Sequence, residues 1–228
     1  MLSSGFHDSV LNMMSLLMKN AANSVKREKA DLGTVQVILA AATMPRTLAC
    51  KLESMLDEKL ITVASAGLHR MPRGLHHDFI SVHGDEGRKS ALSDILHVAV
   101  TENKEQVLVF TNSPEECEDL AAFLKTDGFS VISFHGRGKR AAGSLDSFSL
   151  GGISVLVSTD VAARGIDFPL LRYVVEYRPA KNLRTHVHRI GRTARAGQKG
   201  PFYSKTLIDT TNSKETTIQK SIISSLHQ

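Results

Sequence analysis

The 228-residue chain has no tryptophan, and aromatic residues make up only 5% of it. A row of rings on which nucleobases stack is therefore not expected. Cysteine is as sparse: Cys50 and Cys117 stand far apart, without the close spacing of a metal knuckle or a redox pair. Two buried free thiols in a reducing, intracellular compartment are expected. No apolar run approaches the roughly 20 residues that a membrane span needs. The N-terminus lacks a basic stretch followed by an apolar core and a small-residue cleavage site, so no secretory signal is read there. No glycine-rich loop ends in Gly-Lys-Ser or Gly-Lys-Thr, the arrangement whose backbone amides cradle a nucleotide's phosphates. Gly136-Arg137-Gly138 does not complete a dinucleotide fingerprint, because the third glycine is missing at the required spacing. There is no internal repeat and no low-complexity tract.

What is present is a core-forming chain, 42% hydrophobic, with net charge +5 and a pI near 9.3. The charge mildly favours an anionic partner. Apolar runs at 35–42, 61–64, 75–82, 107–110, 131–134, 153–157, 173–177 and 202–207 read as strands, the last a closing strand. Between them, helices are expected over 46–60, 88–100, 114–126, 139–150 and 213–226. An amphipathic helix is expected near the N-terminus, where methionines at spacings of three and four serve as packing. The polar stretch 20–33 reads as a solvated loop. Strand–helix alternation at this rhythm means a parallel sheet with right-handed crossovers. The Gly- and Pro-bearing stretch 66–74 is the candidate linker between residues 1–65 and 75–228.

Several strands end in a polar residue: Thr43, Thr111, His135 and Thr159. Open α/β sheets bind ligands at the carboxyl ends of their strands. Each of these residues alone is an ordinary helix cap; their recurrence marks one rim. The segment 183–197 is dense in arginine and histidine. If it is helical, His188, Arg192 and Arg195 share one face at i, i+4 and i+7. Arginine offers a planar fork of donors and keeps its charge, which suits phosphate. His186 and His188 invite a metal reading, but no third ligand lies in sequence reach.

The stretches Ser158-Thr-Asp-Val-Ala-Ala-Arg-Gly-Ile-Asp167 and His188-Arg-Ile-Gly-Arg-Thr-Ala-Arg-Ala-Gly197 closely resemble motifs V and VI of the DEAD-box RNA helicases. Ala41-Ala42-Thr43 resembles motif III without its first hydroxyl, and 107–112 resembles motif IV. His135-Gly136 resembles the pair that opens the family's RNA-contacting element. The residues after it depart: Arg140 and Gly143 replace the usual glutamine and arginine, and the segment is short. His186 stands where the family often has tyrosine. The acidic tetrapeptide Asp-Glu-Ala-Asp is absent, and residues 1–6 resemble the segment just after it.

The resemblance implies an α/β fold: a RecA-like parallel sheet flanked by helices over 75–228, with the tail of a first RecA-like lobe at 1–65. It implies ATP with Mg2+ as cofactor, the metal ligands belonging to the first lobe, and RNA as partner, with no membrane and a monomeric protein. Arg192 and Arg195 are implied as arginine fingers on the γ-phosphate, and Gly165 and Asp167 as further ATP contacts. Thr111, His135, Gly136, Thr159 and Asp160 are implied at RNA, and Thr43, Arg164 and His188 in coupling the lobes. Three functions remain open: an ATP-dependent RNA helicase represented by its C-terminal half, nearly inert alone as an ATPase; a truncated, non-catalytic chain that binds RNA or protein; and a DNA helicase of the same superfamily.

Overall fold

The computed structural model describes residues 12–16, 38, 49–50, 52–54, 61–63, 74–135, 142–160, 168–194 and 201–226, with the backbone alone at 142–144. Contacts divide the chain into two units, residues 1–68 and 69–228. In the first unit, residues 12–16, 49–50 and 52–54 are helical, and Leu52 is fully buried. The strands expected over 35–42 and 61–64 are not found at their described positions. Ile38, Ile61 and Val63 belong to no strand and are exposed. A parallel strand depends on hydrogen-bonded neighbours and on cover for both faces, which an apolar run cannot supply for itself. Cys50 also departs from expectation, for it is exposed; Cys117 is buried, and both are free thiols.

The second unit is built on a six-stranded sheet, parallel throughout. Its elements are β1 (Leu75–Val82), α1 (Gly84–Leu96), β2 (Gln106–Thr111), α2 (Pro114–Thr126), β3 (Val131–Phe134) and α3 (Ala142–Ser149). They continue with β4 (Val155–Thr159), β5 (Leu171–Glu176), α4 (Leu183–Ile190), β6 (Phe202–Asp209) and α5 (Ser213–Leu226). The strand order is β1-β6-β5-β2-β4-β3.

The central strands β2, β4 and β5 are buried at every position but Arg172, because both faces are covered. In β2, Val107 and Val109 join Val155, Val157 and Val175 beneath Leu92 and Leu96 of α1 and Leu120 and Leu124 of α2. The alternate residues Leu108 and Phe110 join Leu156, Val174, Phe168 and Phe148 of α3 on the other face. Crossover handedness explains the division. The chain crosses the sheet one way from β1 to β2 to β3, then returns through β4 and β5 to β6. Right-handed connections in opposite directions lie on opposite faces.

Local chemistry fixes the ends of several elements. Ser113 caps α2, its hydroxyl accepting from the Glu116 amide at 3.1 Å, with Pro114 in the first turn and Glu115 and Glu116 beside the positive helix end. α1 starts at Gly84 rather than 88 and yields at Leu96 to a π-helical segment, His97–Glu102. β6 is not an edge strand: it lies between β1 and β5. The edge falls to β1, whose His76, Asp78 and Ser81 face water, whereas β6 buries Ser204, Thr206, Leu207 and Ile208.

Candidate functional site

β2 lies between β4 and β5, and the connections leaving these strands diverge over opposite faces of the sheet. A crevice opens where crossovers diverge, at the carboxyl ends of the strands. Thr111 and Asn112 end β2 there, Thr159 and Asp160 end β4, and Glu176 with Arg178 ends β5. α4 completes the rim. Asn182 caps it, with its side-chain oxygen accepting from the Thr185 amide at 2.9 Å.

α4 stops at Ile190, sooner than the expected basic face requires. Gly191 closes it, its amide donating to the Val187 carbonyl at 2.9 Å. A Cβ at position 191 would stand 2.9 Å from that same oxygen, so a side chain is excluded there. The chain continues in turns, with the Arg192 amide on the Arg189 carbonyl at 3.0 Å, and reaches a positive φ of 53° at Ala194. His188 and Arg192 therefore do not share one helical face. Arg192 folds back instead, and its Nε donates to the His188 carbonyl at 3.2 Å.

Arg189 points inward. It is 1% exposed and all its nitrogens are engaged. Nε and Nη2 grip both oxygens of Asp160 at 2.6 and 2.9 Å. Nη2 also reaches Asn112 Oδ1 at 2.7 Å. Nη1 donates to the Arg178 carbonyl at 2.8 Å and to Glu176 at 3.4 Å. The guanidinium lies 5.2 Å from the centroid of the Phe110 ring. Burial works against its charge, but the Asp160 and Glu176 carboxylates outweigh burial and hold its pKa above the ordinary value. One planar fork thus ties the exits of β2, β4 and β5 to α4.

Behind Arg189 sits Glu176, fully buried. His186 Nδ1 lies 2.7 Å from its Oε2, and Thr206 Oγ1 donates to the same oxygen at 2.7 Å. Burial opposes ionisation here, and the His186 hydrogen bond, with the charges of His186 and Arg189, overcomes it, so the carboxyl titrates below its usual range. His186 packs edge-on against His77, with centroids 4.9 Å apart. Burial, with His186 nearby, pushes the His77 pKa down to about 4. Among the described residues no three His, Cys, Asp or Glu side chains are grouped to hold a metal ion.

Arg178 binds the neighbouring helices together. Its Nε donates to Glu116 of α2 and its Nη2 to Asp85 of α1, both at 2.6 Å. Burial opposes the charge, and these carboxylates raise its pKa regardless. Thr111 is buried, and its hydroxyl donates to the Ser113 carbonyl at 3.3 Å. His135 Nε2 meets Glu118 at 2.6 Å, a contact that holds the Glu118 carboxyl below its usual range.

The structure brings Thr111, Thr159, Asp160 and His188 to one end of the sheet, with His135 following β3 at the same end. Thr43, Gly136, Arg164, Gly165, Asp167 and Arg195 lie outside the described residues. Sequence reasoning missed Glu176, Asn112 and Arg178. A signal was present for Glu176: a carboxylate inside a β-branched run is buried only when paired.

Residues 87–197 match the helicase conserved C-terminal domain. The chain is 30% identical over 209 residues to the pre-mRNA-splicing ATP-dependent RNA helicase PRP28 of Yarrowia lipolytica, covering 88% of this chain and 36% of that protein. It is 30% identical over 175 residues to the ATP-dependent RNA helicase DBP2 of Candida albicans, covering 74% and 30%. The chain thus spans about a third of the length of these curated relatives. The structure of S. cerevisiae Dbp5 bound to RNA and ADP BeF3 superposes over 82% of this chain and 48% of that one, with a TM-score of 0.68 at 20% identity, which bears on the fold. Sheet order, motifs and relatives agree: the chain carries a helicase conserved C-terminal domain over residues 87–197, on a RecA-like fold, and is similar to the C-terminal portion of the DEAD-box RNA helicases.

Proposed function

We propose that this chain supplies the second lobe of an ATP-dependent RNA helicase. In this reading residues 1–65 are the tail of the first lobe, 66–74 the linker and 75–228 the second lobe, and the protein acts as a monomer. The observation that carries the reading is the bidentate Arg189–Asp160 pair, at 2.6 and 2.9 Å. It clamps the exit of β4 to α4, so the segment from Thr159 and the segment after α4 belong to one rim.

His135, Gly136, Thr159 and Asp160 grip the RNA backbone; Thr111, expected at RNA but fully buried with its hydroxyl on the Ser113 carbonyl, supports the rim from beneath instead. Asp160 acts through its main chain, since Arg189 holds both carboxylate oxygens. Contacts of this kind position a strand without reading its sequence. Gly165 and Asp167 contact ATP held by the other lobe, and Thr43, Arg164 and His188 couple the lobes. Arg192 and Arg195 neutralise charge that spreads over the γ-phosphate oxygens in the transition state, a contribution of roughly 10³–10⁵ in rate. Mg2+ bound with ATP would supply further charge neutralisation, its protein ligands belonging to the other lobe.

Fluorescence anisotropy with single-stranded RNAs of several sequences tests the RNA half. Affinity should fall steeply from 50 to 200 mM salt, as phosphate neutralisation releases counterions. Thr159→Ala should weaken binding alike for every sequence. Strong sequence preference, or indifference to salt, contradicts the reading. The ATP half is tested in a protein that joins this chain to a P-loop lobe. Arg192→Lys keeps charge but loses the fork, so kcat should drop at least about tenfold with a smaller change in KM. An unchanged kcat removes Arg192 from the chemistry. The chain alone should hydrolyse no ATP, which leaves RNA binding as its separable activity.

A further inference from the structure

Glu176 has a role that neither the fold nor the proposed chemistry requires. A buried carboxylate loses its water, and well-packed apolar residues commonly stabilise a site as well as a buried ion pair does. What a buried carboxylate adds is orientation. Oε2 is held from two sides, by His186 Nδ1 of α4 and Thr206 Oγ1 of β6, each at 2.7 Å. That leaves Oε1 aimed at Arg189 Nη1, 3.4 Å away.

The carboxylate fixes the donor of His186. An ionised carboxylate only accepts, so His186 Nδ1, 2.7 Å from Oε2, carries an N–H and donates to Glu176. Among the described residues its Nε2 is buried without a hydrogen-bond partner, beside the His77 ring.

Arg189 stands between two anions. Glu176 and the Arg178 carbonyl hold one end of the fork, and Asp160, 33% exposed at its side chain, takes the other. A guanidinium is rigid and planar. Turning one end of it moves the other, and Asp160 is bonded in sequence to Thr159.

We propose that Glu176, held by His186 and Thr206, is a positioning residue for the RNA rim, setting the Arg189 guanidinium and through it Asp160 and Thr159. The inference rests on the RNA reading above. It also gives His186 a function suited to a ring with a directed N–H.

The test uses the full chain and a fluorescent oligouridine at fixed salt, well below the melting temperature. Glu176→Gln should weaken binding about fivefold, and Asp160→Asn by a similar factor. If Glu176 acts through Asp160, the double variant binds no more weakly than Asp160→Asn alone, because the two sites belong to one network. A merely structural Glu176 gives losses that multiply, and that result overturns the proposal, as does Glu176→Gln at wild-type affinity. If Glu176→Gln fails to fold, a pair at 186 carries the comparison. His186→Asn keeps a donor near the Nδ1 position and should stay within about twofold of wild type, while His186→Phe removes it and should lose about fivefold. Equal affinities for the pair count against the proposal. Exchange of the Arg189 Nε–H, followed by NMR without RNA, separates the two layers. Exchange at least about tenfold faster in Glu176→Gln, in a chain that never binds RNA, sinks the RNA reading and keeps Glu176 as the residue that sets Arg189. Unchanged exchange sinks the positioning role itself.

Discussion

Replacing Arg189 with methionine tests the central clamp. Methionine roughly preserves the stem and removes every donor. Removing one partner from a buried ion pair typically costs 3–5 kcal/mol, because the other charge stays buried and unpaired. Two features place this site at the low end. Asp160 is 33% exposed and can recover water, and Glu176 keeps its bonds from His186 and Thr206. The Asn112 oxygen and the Arg178 carbonyl also lose a donor. The expected loss is about 3 kcal/mol, a large part of a typical domain stability of about 5–15 kcal/mol. At this size it lowers Tm by roughly 6–12 °C. Urea unfolding at pH 7.5, followed by far-ultraviolet circular dichroism, measures it. Arg189→Lys keeps a charge without the fork and should lose about 2 kcal/mol. Asp160→Asn, at the exposed end, should lose less than Arg189→Met. A loss below about 1 kcal/mol for Arg189→Met, or a greater loss for Asp160→Asn, would refute the assignment of Arg189 as the clamp.

Three further outcomes follow from the geometry. His77 is neutral in the folded chain, its pKa pushed down to about 4 from 6.5 by burial foremost. The unfolded chain binds the extra proton first, so this stability is complete above pH 6.5 and is lost as pH falls through 4, by about 3 kcal/mol in all; His77→Phe should flatten melting curves between pH 6.5 and 4, and an unaltered slope would count against it. Gly191→Ala forces a Cβ to 2.9 Å from the Val187 carbonyl oxygen, so the end of α4 must shift and stability should fall by about 1–3 kcal/mol in urea titrations; a wild-type midpoint would disprove the clash. Cys50 is exposed, whereas burial pushes the Cys117 thiol up to about 11; a thiol-specific disulfide reagent should therefore label one cysteine in the folded chain and two in urea, and rapid labelling of both without denaturant would contradict the packing of α2.

The sequence by itself determined the parallel sheet of the second unit. The runs 107–110, 153–157 and 173–177 are apolar but for Ser154 and Glu176, a density that strands covered on both faces require. It also placed Thr111 and Thr159 at strand ends, because a polar residue after such a run marks where the chain leaves the core. Motifs V and VI were legible as sequence because their residues are contiguous. The tertiary structure alone decided which strands are neighbours, and so set β6, the last strand in sequence, between β1 and β5. It ended α4 at Gly191, where the Val187 carbonyl leaves no space for a side chain, and so took Arg192 off the helical face that carries His188. It decided against strands at Ile38 and at 61–63, since an apolar run becomes a strand only when partners are present. Above all it turned Arg189 inward. Asn112, Asp160, Glu176 and Arg178 are scattered along the chain, and only the folded sheet brings them within reach of one guanidinium. Periodicity tells which way a side chain faces; which distant charge it meets is fixed by strand order, and strand order is a property of the whole fold.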